Sequence, residues 1–360
     1  MHPMNNKEYT PRLIFWELTE GCNLKCAHCR ATAQPGRSKD ELSTEEAYRV
    51  IDEIASFSNP ILILTGGEPL YRPDFFEIAD YAVKKGLNVA LATNGTLIDR
   101  EIAKKIKAVG IKRVAISIDG STKETHDKFR GIDGAFDKAL LGAKYVQDEG
   151  LDIQINTSVS KHNVDEMEDI VKLAIDKKVK ALHLFMLVPV GCGLQIAESQ
   201  MLPASKYEEV LAWFYDRSKD LPFEFRATCA PHYYRIIRQK AKEAGEKVTY
   251  ETHGMAAMTK GCLAGTGVFF ISHKGKVQPC GYLPVEAGDV TKQTVEEIWN
   301  DSPVFATLRD DSKLEGKCGI CEYINVCSGC RARAYSETGN FMSEEPYCVY
   351  EPKVVGKKTL

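Results

Sequence analysis

Three cysteines stand at Cys22, Cys26 and Cys29, spaced four and three residues apart, with His28 beside the last. Thiolates at that spacing fit three corners of an iron–sulfur cube and leave its fourth iron without a protein ligand. A zinc ion held by the same cysteines and His28 is the rival reading, since zinc accepts Cys3His sets. The chain holds twelve cysteines in 360 residues. Met1 to Thr10 is polar and lacks the apolar core of a signal peptide, so the expected compartment is the reducing cytoplasm. There, clustered cysteines are read as metal or redox ligands rather than disulfides.

These residues need a scaffold, and the first half supplies one. Short β-rich runs at Leu13–Leu18, Ile61–Leu64, Asn88–Ala92, Arg113–Ile118, Asp152–Val159 and Ala181–Val188 alternate with helical stretches at Thr44–Phe57, Pro73–Lys85, Asp99–Val109, Ala135–Glu149 and Asn163–Lys177. Strands alternating with helices predict parallel βα units with right-handed crossovers. The alternation fades after Val188, which predicts an α/β fold: an open, partial (βα)6 barrel, related to the TIM barrel but not closed. Helices are expected at Ser205–Lys219 and Pro231–Ala244. A short, turn-rich and cysteine-dense unit with a hairpin at Gly267–Pro279 closes the chain. The expected organisation is an N-terminal segment (1–12), the barrel (13–200), a helical segment (201–260), the cysteine-rich unit (261–350) and a basic tail (351–360).

In a parallel barrel the strand ends converge on one face, and here each end is polar or glycine-rich. They read Thr65-Gly66-Gly67-Glu68-Pro69, Thr93-Asn94-Gly95, Ser117-Ile118-Asp119-Gly120, Asn156-Thr157-Ser158 and Val188-Pro189-Val190-Gly191. The adjacent glycines allow a ligand near bare backbone, and Glu68 can receive an ammonium group. Such ends singly are plain turns. Together, beside a three-cysteine loop, they favour the cube over zinc.

Cys22-x3-Cys26-x2-Cys29 followed by Gly66-Gly67-Glu68 resembles the radical S-adenosylmethionine (SAM) enzymes, over roughly Leu13 to Val190. The resemblance implies a [4Fe–4S] cluster on Cys22, Cys26 and Cys29, whose open iron chelates the amine and carboxylate of SAM. It places Gly66, Gly67, Glu68 and Pro69 at the amine, Asn94 on the same rim, and Ser117 and Asp119 at the ribose. Asn156 falls at the fifth-strand SAM position, Val188 at the adenine, His28 stacked beside the adenine, and Arg130 on the SAM carboxylate.

The second array runs Cys262, Cys280, Cys318, Cys321, Cys327, Cys330 and Cys348. Its two Cys-x2-Cys pairs alone suit a zinc ribbon. The complete order resembles the auxiliary-cluster (SPASM) extension of radical SAM maturases, although Cys327-x2-Cys330 is one residue shorter than is usual there. The resemblance implies one or two auxiliary [4Fe–4S] clusters. Cys318, Cys321, Cys327 and Cys348 would hold the outer one. Cys262, Cys280 and Cys330 would hold the inner one, with Cys229 or Cys192 as a fourth ligand, or an open iron.

Auxiliary clusters suggest an oxidation, the product radical giving up an electron. The stretches Thr228–Arg235, Gly261–Gly265 and Pro279–Pro284 look like the anaerobic haem synthase branch. That resemblance implies oxidative decarboxylation of iron-coproporphyrin III propionates to vinyl groups, with an external flavodoxin- or ferredoxin-like electron donor. Related porphyrinoid enzymes, which deacetylate didecarboxysirohaem or serve haem d1 synthesis, are alternatives. So is a ribosomal-peptide maturase, although the dozen residues before the first strand leave no room for its usual peptide-binding domain. A tetracarboxylate macrocycle needs cations, and Arg226, His232, Arg235 and Arg238 are the expected ones. The net charge of −3 gives no global basic field for nucleic acid, and the apolar stretch Ala181–Ala197 is too broken to span a membrane.

Overall fold

The expected strands form as β1 (Leu13–Glu17), β2 (Ile61–Thr65), β3 (Asn88–Thr93), β4 (Arg113–Ser117), β5 (Asp152–Val159) and β6 (Ala181–Met186). The computed structural model describes residues 9–353. The readings made for Met1 to Glu8 and for the tail beyond Lys353 lie outside it. The strands run parallel in chain order. Their register aligns Trp16, Leu64, Leu91, Val114 and Ile153 in one row. All five are buried in the main core, against the helices that cover the sheet. Alternate residues face the opposite side, and there the side chains are small or polar towards the strand ends: Ala92, Ser117, Asn156 and Ser158.

The helices are α1 (Thr44–Phe57), α2 (Phe75–Lys84), α3 (Arg100–Val109), α4 (Lys123–Arg130), α5 (Ala135–Asp148), α6 (Met167–Asp176), α7 (Gly193–Gln200), α8 (Ala204–Arg217) and α9 (His232–Glu243). Caps fix their starts: Ser43 and Glu46 form a capping box on α1, and Asp99 caps α3. Helix α4 was not legible in the sequence because Phe129 is its one large apolar residue. It is capped by Thr122 and buries polar groups instead, among them His126, Asp127 and Arg130.

The sheet continues past the expected six strands at both edges. β7 (Glu224–Thr228) pairs in parallel with β6. On the other side β8 (Val268–Ile271) pairs in parallel with β1, followed by the antiparallel β9 (Lys276–Gln278) and β10 (Gly288–Asp289). The result is an open ten-stranded sheet. The expected hairpin of the cysteine-rich unit is thus hydrogen-bonded into the barrel sheet itself. A second apolar cluster, with Val188, Leu283, Leu308, Leu314, Cys330 and Met342, lies among the C-terminal segments. Among the described residues, no helix is long and apolar enough to cross a membrane.

Candidate functional site

The loop after β1 carries Cys22, Cys26 and Cys29 as free thiols. Backbone N–H groups of Leu24 and Ala33 point at the sulfurs of Cys22 and Cys29, at 3.4 and 3.5 Å. Burial and the neighbouring carboxylate and thiols push the Cys22 thiol up to about 12, though the Leu24 N–H opposes this. A thiol so placed ionises only when a metal takes the charge.

The glycines of the second strand end serve this loop. A Cβ at Gly67 would lie 2.4 Å from the Gly21 carbonyl oxygen, and one at Gly66 would lie 2.8 Å from that of Thr19. Gly67 N–H donates to Thr19 and Glu68 N–H to Gly21. The Glu68 side chain is fully buried. It accepts from the Thr93 hydroxyl at 2.7 Å, Asn94 N–H at 2.8 Å and Leu70 N–H at 3.2 Å. Glu68, expected to receive an ammonium group, thus braces the ends of β2 and β3 from inside. Burial outweighs those hydrogen bonds and raises its carboxyl to about 7. Asn94 points its amide at Asn23 (2.9 Å) and Cys22 (3.9 Å), which ties the third strand end to the cysteine loop. Pro69 is buried as well.

Asp119 and Arg130 are also committed within the protein. Asp119 is fully buried and meets Arg130 Nη2 at 2.6 Å, His28 Nε2 at 3.2 Å and Ser158 N–H at 2.7 Å. Burial opposes ionisation, but the Arg130 charge wins and holds the carboxyl well below the usual carboxylate range. Arg130 Nη1 lies 3.7 Å from the Cys26 sulfur, while its Nε is buried without a partner. His28 stacks on Phe129, with ring centroids 4.0 Å apart, so one face of its ring is covered by protein. Ser117 and Asn156 stand opposite each other in register, and Val188 is buried in the C-terminal apolar cluster.

The second array separates into two groups. Cys229, Cys262, Cys280 and Cys330 gather closely: burial first, and then neighbouring cysteines of this group including Cys262, raise the thiols of Cys229, Cys280 and Cys330. Cys318, Cys321, Cys327 and Cys348 line one cavity. Cys229 therefore joins Cys262, Cys280 and Cys330, whereas Cys192 lies apart, its N–H on the Cys29 carbonyl. Cys229 holds a left-handed backbone, φ 54°. Its carbonyl accepts from Arg333 Nη1 at 2.7 Å and the Tyr207 hydroxyl at 2.9 Å.

Glu345 touches both groups. Its carboxylate accepts from Cys330 N–H at 2.6 Å and from Arg333 Nε at 2.9 Å, and its own N–H points at the Cys318 sulfur at 3.4 Å. Burial works against the charge, but Arg333 keeps the carboxyl at about 2. Sequence reading missed this pair. The available signal was position: Arg333 follows Cys330 by three residues, and Glu345 precedes Cys348 by three. A second missed set is Glu17, which pairs with Arg30 at 2.5 Å and His273 at 2.6 Å. It locks the first cysteine loop to the β8–β9 turn.

The four expected substrate cations are not brought together. Arg226 lines a cavity of about 600 Å³ with Lys219, Tyr233, Tyr234 and His253. Arg238 follows Ile237 of that lining without being part of it, and donates only to the Tyr234 and Ala257 carbonyls among the described residues. His232 and Arg235 are 0% and 2% exposed and face the outer cysteine cavity instead. The helical spacing placed all three α9 residues together, but Arg238 lies on another side of the helix from the buried pair.

Residues 16–174 match the radical SAM superfamily, and residues 262–331 match SPASM, an iron–sulfur cluster-binding domain. The chain is 53% identical, over 97% of its length and 98% of the relative's, to an AdoMet-dependent heme synthase of Methanosarcina barkeri. It is 49% identical, over 96% and 94%, to one of Nitratidesulfovibrio vulgaris. Its fold is that of Streptococcus suis SuiB bound to S-adenosylmethionine (TM-score 0.74, 16% identity, covering 95% of this chain and 78% of SuiB). The zinc readings are set aside, and the chain belongs to the radical SAM superfamily, as an enzyme that uses SAM and [4Fe–4S] clusters in a barrel joined to a SPASM domain.

Proposed function

We propose that this cytoplasmic enzyme converts two propionates of iron-coproporphyrin III into the vinyl groups of haem b. The observation that carries the reading is the 53% identity, over nearly the full length of both chains, to a relative named AdoMet-dependent heme synthase. In this reading Cys22, Cys26 and Cys29 hold the SAM cluster. Cys318, Cys321, Cys327 and Cys348 hold the outer auxiliary cluster, and Cys229 completes the inner one with Cys262, Cys280 and Cys330. Bound SAM supplies a 5′-deoxyadenosyl radical.

The chain's own residues do the rest. The Gly66–Gly67 turn sets the cysteine loop against the rim, and Ser117 and Asn156 offer polar contacts to the ribose. The pair Asp119–Arg130 supports His28 and Cys26. Each turnover removes one hydrogen atom from the propionate carbon joined to the ring and one electron from the resulting radical. Carbon dioxide then leaves, and the vinyl group remains. The protein must accept that electron, and Glu345, in contact with both cysteine groups, spans the route between them. The macrocycle's carboxylates fall to Arg226 in the cavity between β7 and α9 and to Arg238, next in the chain to its lining residue Ile237, with a small electron-transfer protein as external donor.

Anaerobic incubation with iron-coproporphyrin III, SAM and a reductant, followed by mass spectrometry, tests the reading. The expected product has lost two carboxyl groups, with 5′-deoxyadenosine formed for each. An unchanged macrocycle, with SAM cleavage stimulated by a peptide instead, would establish the maturase alternative.

A further inference from the structure

The cavity lined by Cys318, Cys321, Cys327 and Cys348 is walled on one side by α9, which sends His232 and Arg235 to it. Arg235 is 2% exposed. Its two terminal nitrogens are taken by Glu208, at 2.8 and 2.6 Å, and one of them also by Gln239 at 2.6 Å. Its Nε is buried with no partner in the protein. The guanidinium charge reaches Cys321, Cys327 and Cys348. His232 is fully buried beside it, with neither ring nitrogen hydrogen-bonded. Buried N–H groups are rarely left unpaired without a reason. Here an unpaired donor and a fixed cation both stand at a cavity ringed by four thiols.

We propose that Arg235, held in place by Glu208, sets the reduction potential of the outer cluster, making it the more ready electron acceptor. The proposal rests on the reading that Cys318, Cys321, Cys327 and Cys348 hold that cluster. Taking up one electron makes a cluster one charge more negative. A buried cation stabilises the reduced form more than the oxidised one, because the interaction is little screened. A hydrogen bond to a cluster sulfur acts in the same direction. Glu208 opposes the effect: it orients the guanidinium and neutralises part of its charge. Arg235 is thus a positioning and tuning residue, without contact to SAM or macrocycle.

The test is an EPR-monitored redox titration of the full-length, reconstituted protein with Cys22, Cys26 and Cys29 replaced by alanine, so that only the C-terminal clusters report. In that background Arg235→Gln should move one midpoint to more negative potential, with Arg235→Lys falling between. Glu208→Gln keeps the shape and removes the counter-charge, so it should move the same midpoint to more positive potential while the other stays. Midpoints unchanged in both variants, with iron retained, would overturn the proposal. If Arg235→Gln loses its cluster, the direction of the Glu208→Gln shift decides alone. A parent protein whose iron content is unchanged when Cys318, Cys321, Cys327 and Cys348 are replaced by alanine would reject the outer-cluster reading and the proposal with it.

Discussion

Arg130 and Asp119 meet at 2.6 Å with both side chains buried, so the guanidinium already has its anion before any ligand carboxylate arrives. Removing one partner of a buried pair leaves an uncompensated charge, at a cost of roughly 3–5 kcal/mol. Arg130→Ala should lower stability by about that much. The double variant Arg130→Ala/Asp119→Ala should cost clearly less than the sum of the singles. Anaerobic thermal unfolding of the three variants measures this, and strict additivity would contradict the pairing.

Gly67 is required by proximity and not by dihedral angle. An added methyl would sit 2.4 Å from the Gly21 carbonyl oxygen and 2.5 Å from that of Glu20. Those atoms belong to the backbone leading into Cys22, so the cysteine loop itself must move. Gly67→Ala should lose most of the SAM-cluster iron while keeping the iron of the C-terminal array. A variant with normal iron content and normal 5′-deoxyadenosine formation would show that the loop can yield.

Apart from α4, the strands and helices of the barrel were legible because period-2 and period-3.6 patterns alternate up to Met186. β7 was not: Glu224-Phe-Arg-Ala-Thr has one strong β former between charges, and it is a strand because β6 offers it a free edge. The cysteine positions were legible from spacing, and Cys229 from nothing but its type. What single residues do at the rim was hidden. Glu68, Asp119 and Arg130 read as ligand contacts by type, yet each is engaged by neighbours far away in sequence, such as Thr93, His28 and Cys26. A side chain's charge is visible in sequence, but whether folding has already satisfied it is not.

His126 should make the fold acid-sensitive. Burial holds its ring at about 4, against an ordinary 6.5, with Arg130 adding to the effect. The unfolded chain binds the proton near pH 6.5 and the folded one only near pH 4. Stability is therefore complete above pH 6.5 and falls as pH drops through that window. Between pH 7 and pH 5 this one group should cost about 2 kcal/mol. The Nδ1 atom accepts from Asp119 N–H at 3.1 Å, and His126→Asn offers another acceptor there. That variant should show a shallower loss of melting temperature between pH 7 and 5 than the wild type. Equal slopes would mean the ring is already charged in the fold.

Cys229 should matter through one cluster alone. Its thiol lies with Cys262, Cys280 and Cys330, and its carbonyl is gripped by Arg333 and Tyr207, so the backbone at this point is preset. Cys229→Ala should lose or alter the inner cluster's EPR signal and stop product formation, while outer-cluster and SAM-cluster signals persist. Three unchanged signals would leave the inner cluster with three cysteine ligands.

The cations of β7 and α9 should divide by function. Arg226 lines the 600 Å³ cavity, and Arg238, next in the chain to its lining residue Ile237, donates only to backbone carbonyls among the described residues. Burial with no carboxylate beside it lowers the pKa of the Arg238 guanidinium, so an incoming propionate would relieve that charge. One charge-assisted hydrogen bond contributes about 1.5–3 kcal/mol. Arg226→Ala and Arg238→Ala should each weaken iron-coproporphyrin III binding roughly ten- to hundredfold, as followed by its Soret band. Arg235 is turned away to the outer cysteines, and Arg235→Gln should leave that affinity unchanged. Binding that depends on Arg235 and ignores Arg226 and Arg238 would place the macrocycle against the outer cysteine cavity instead.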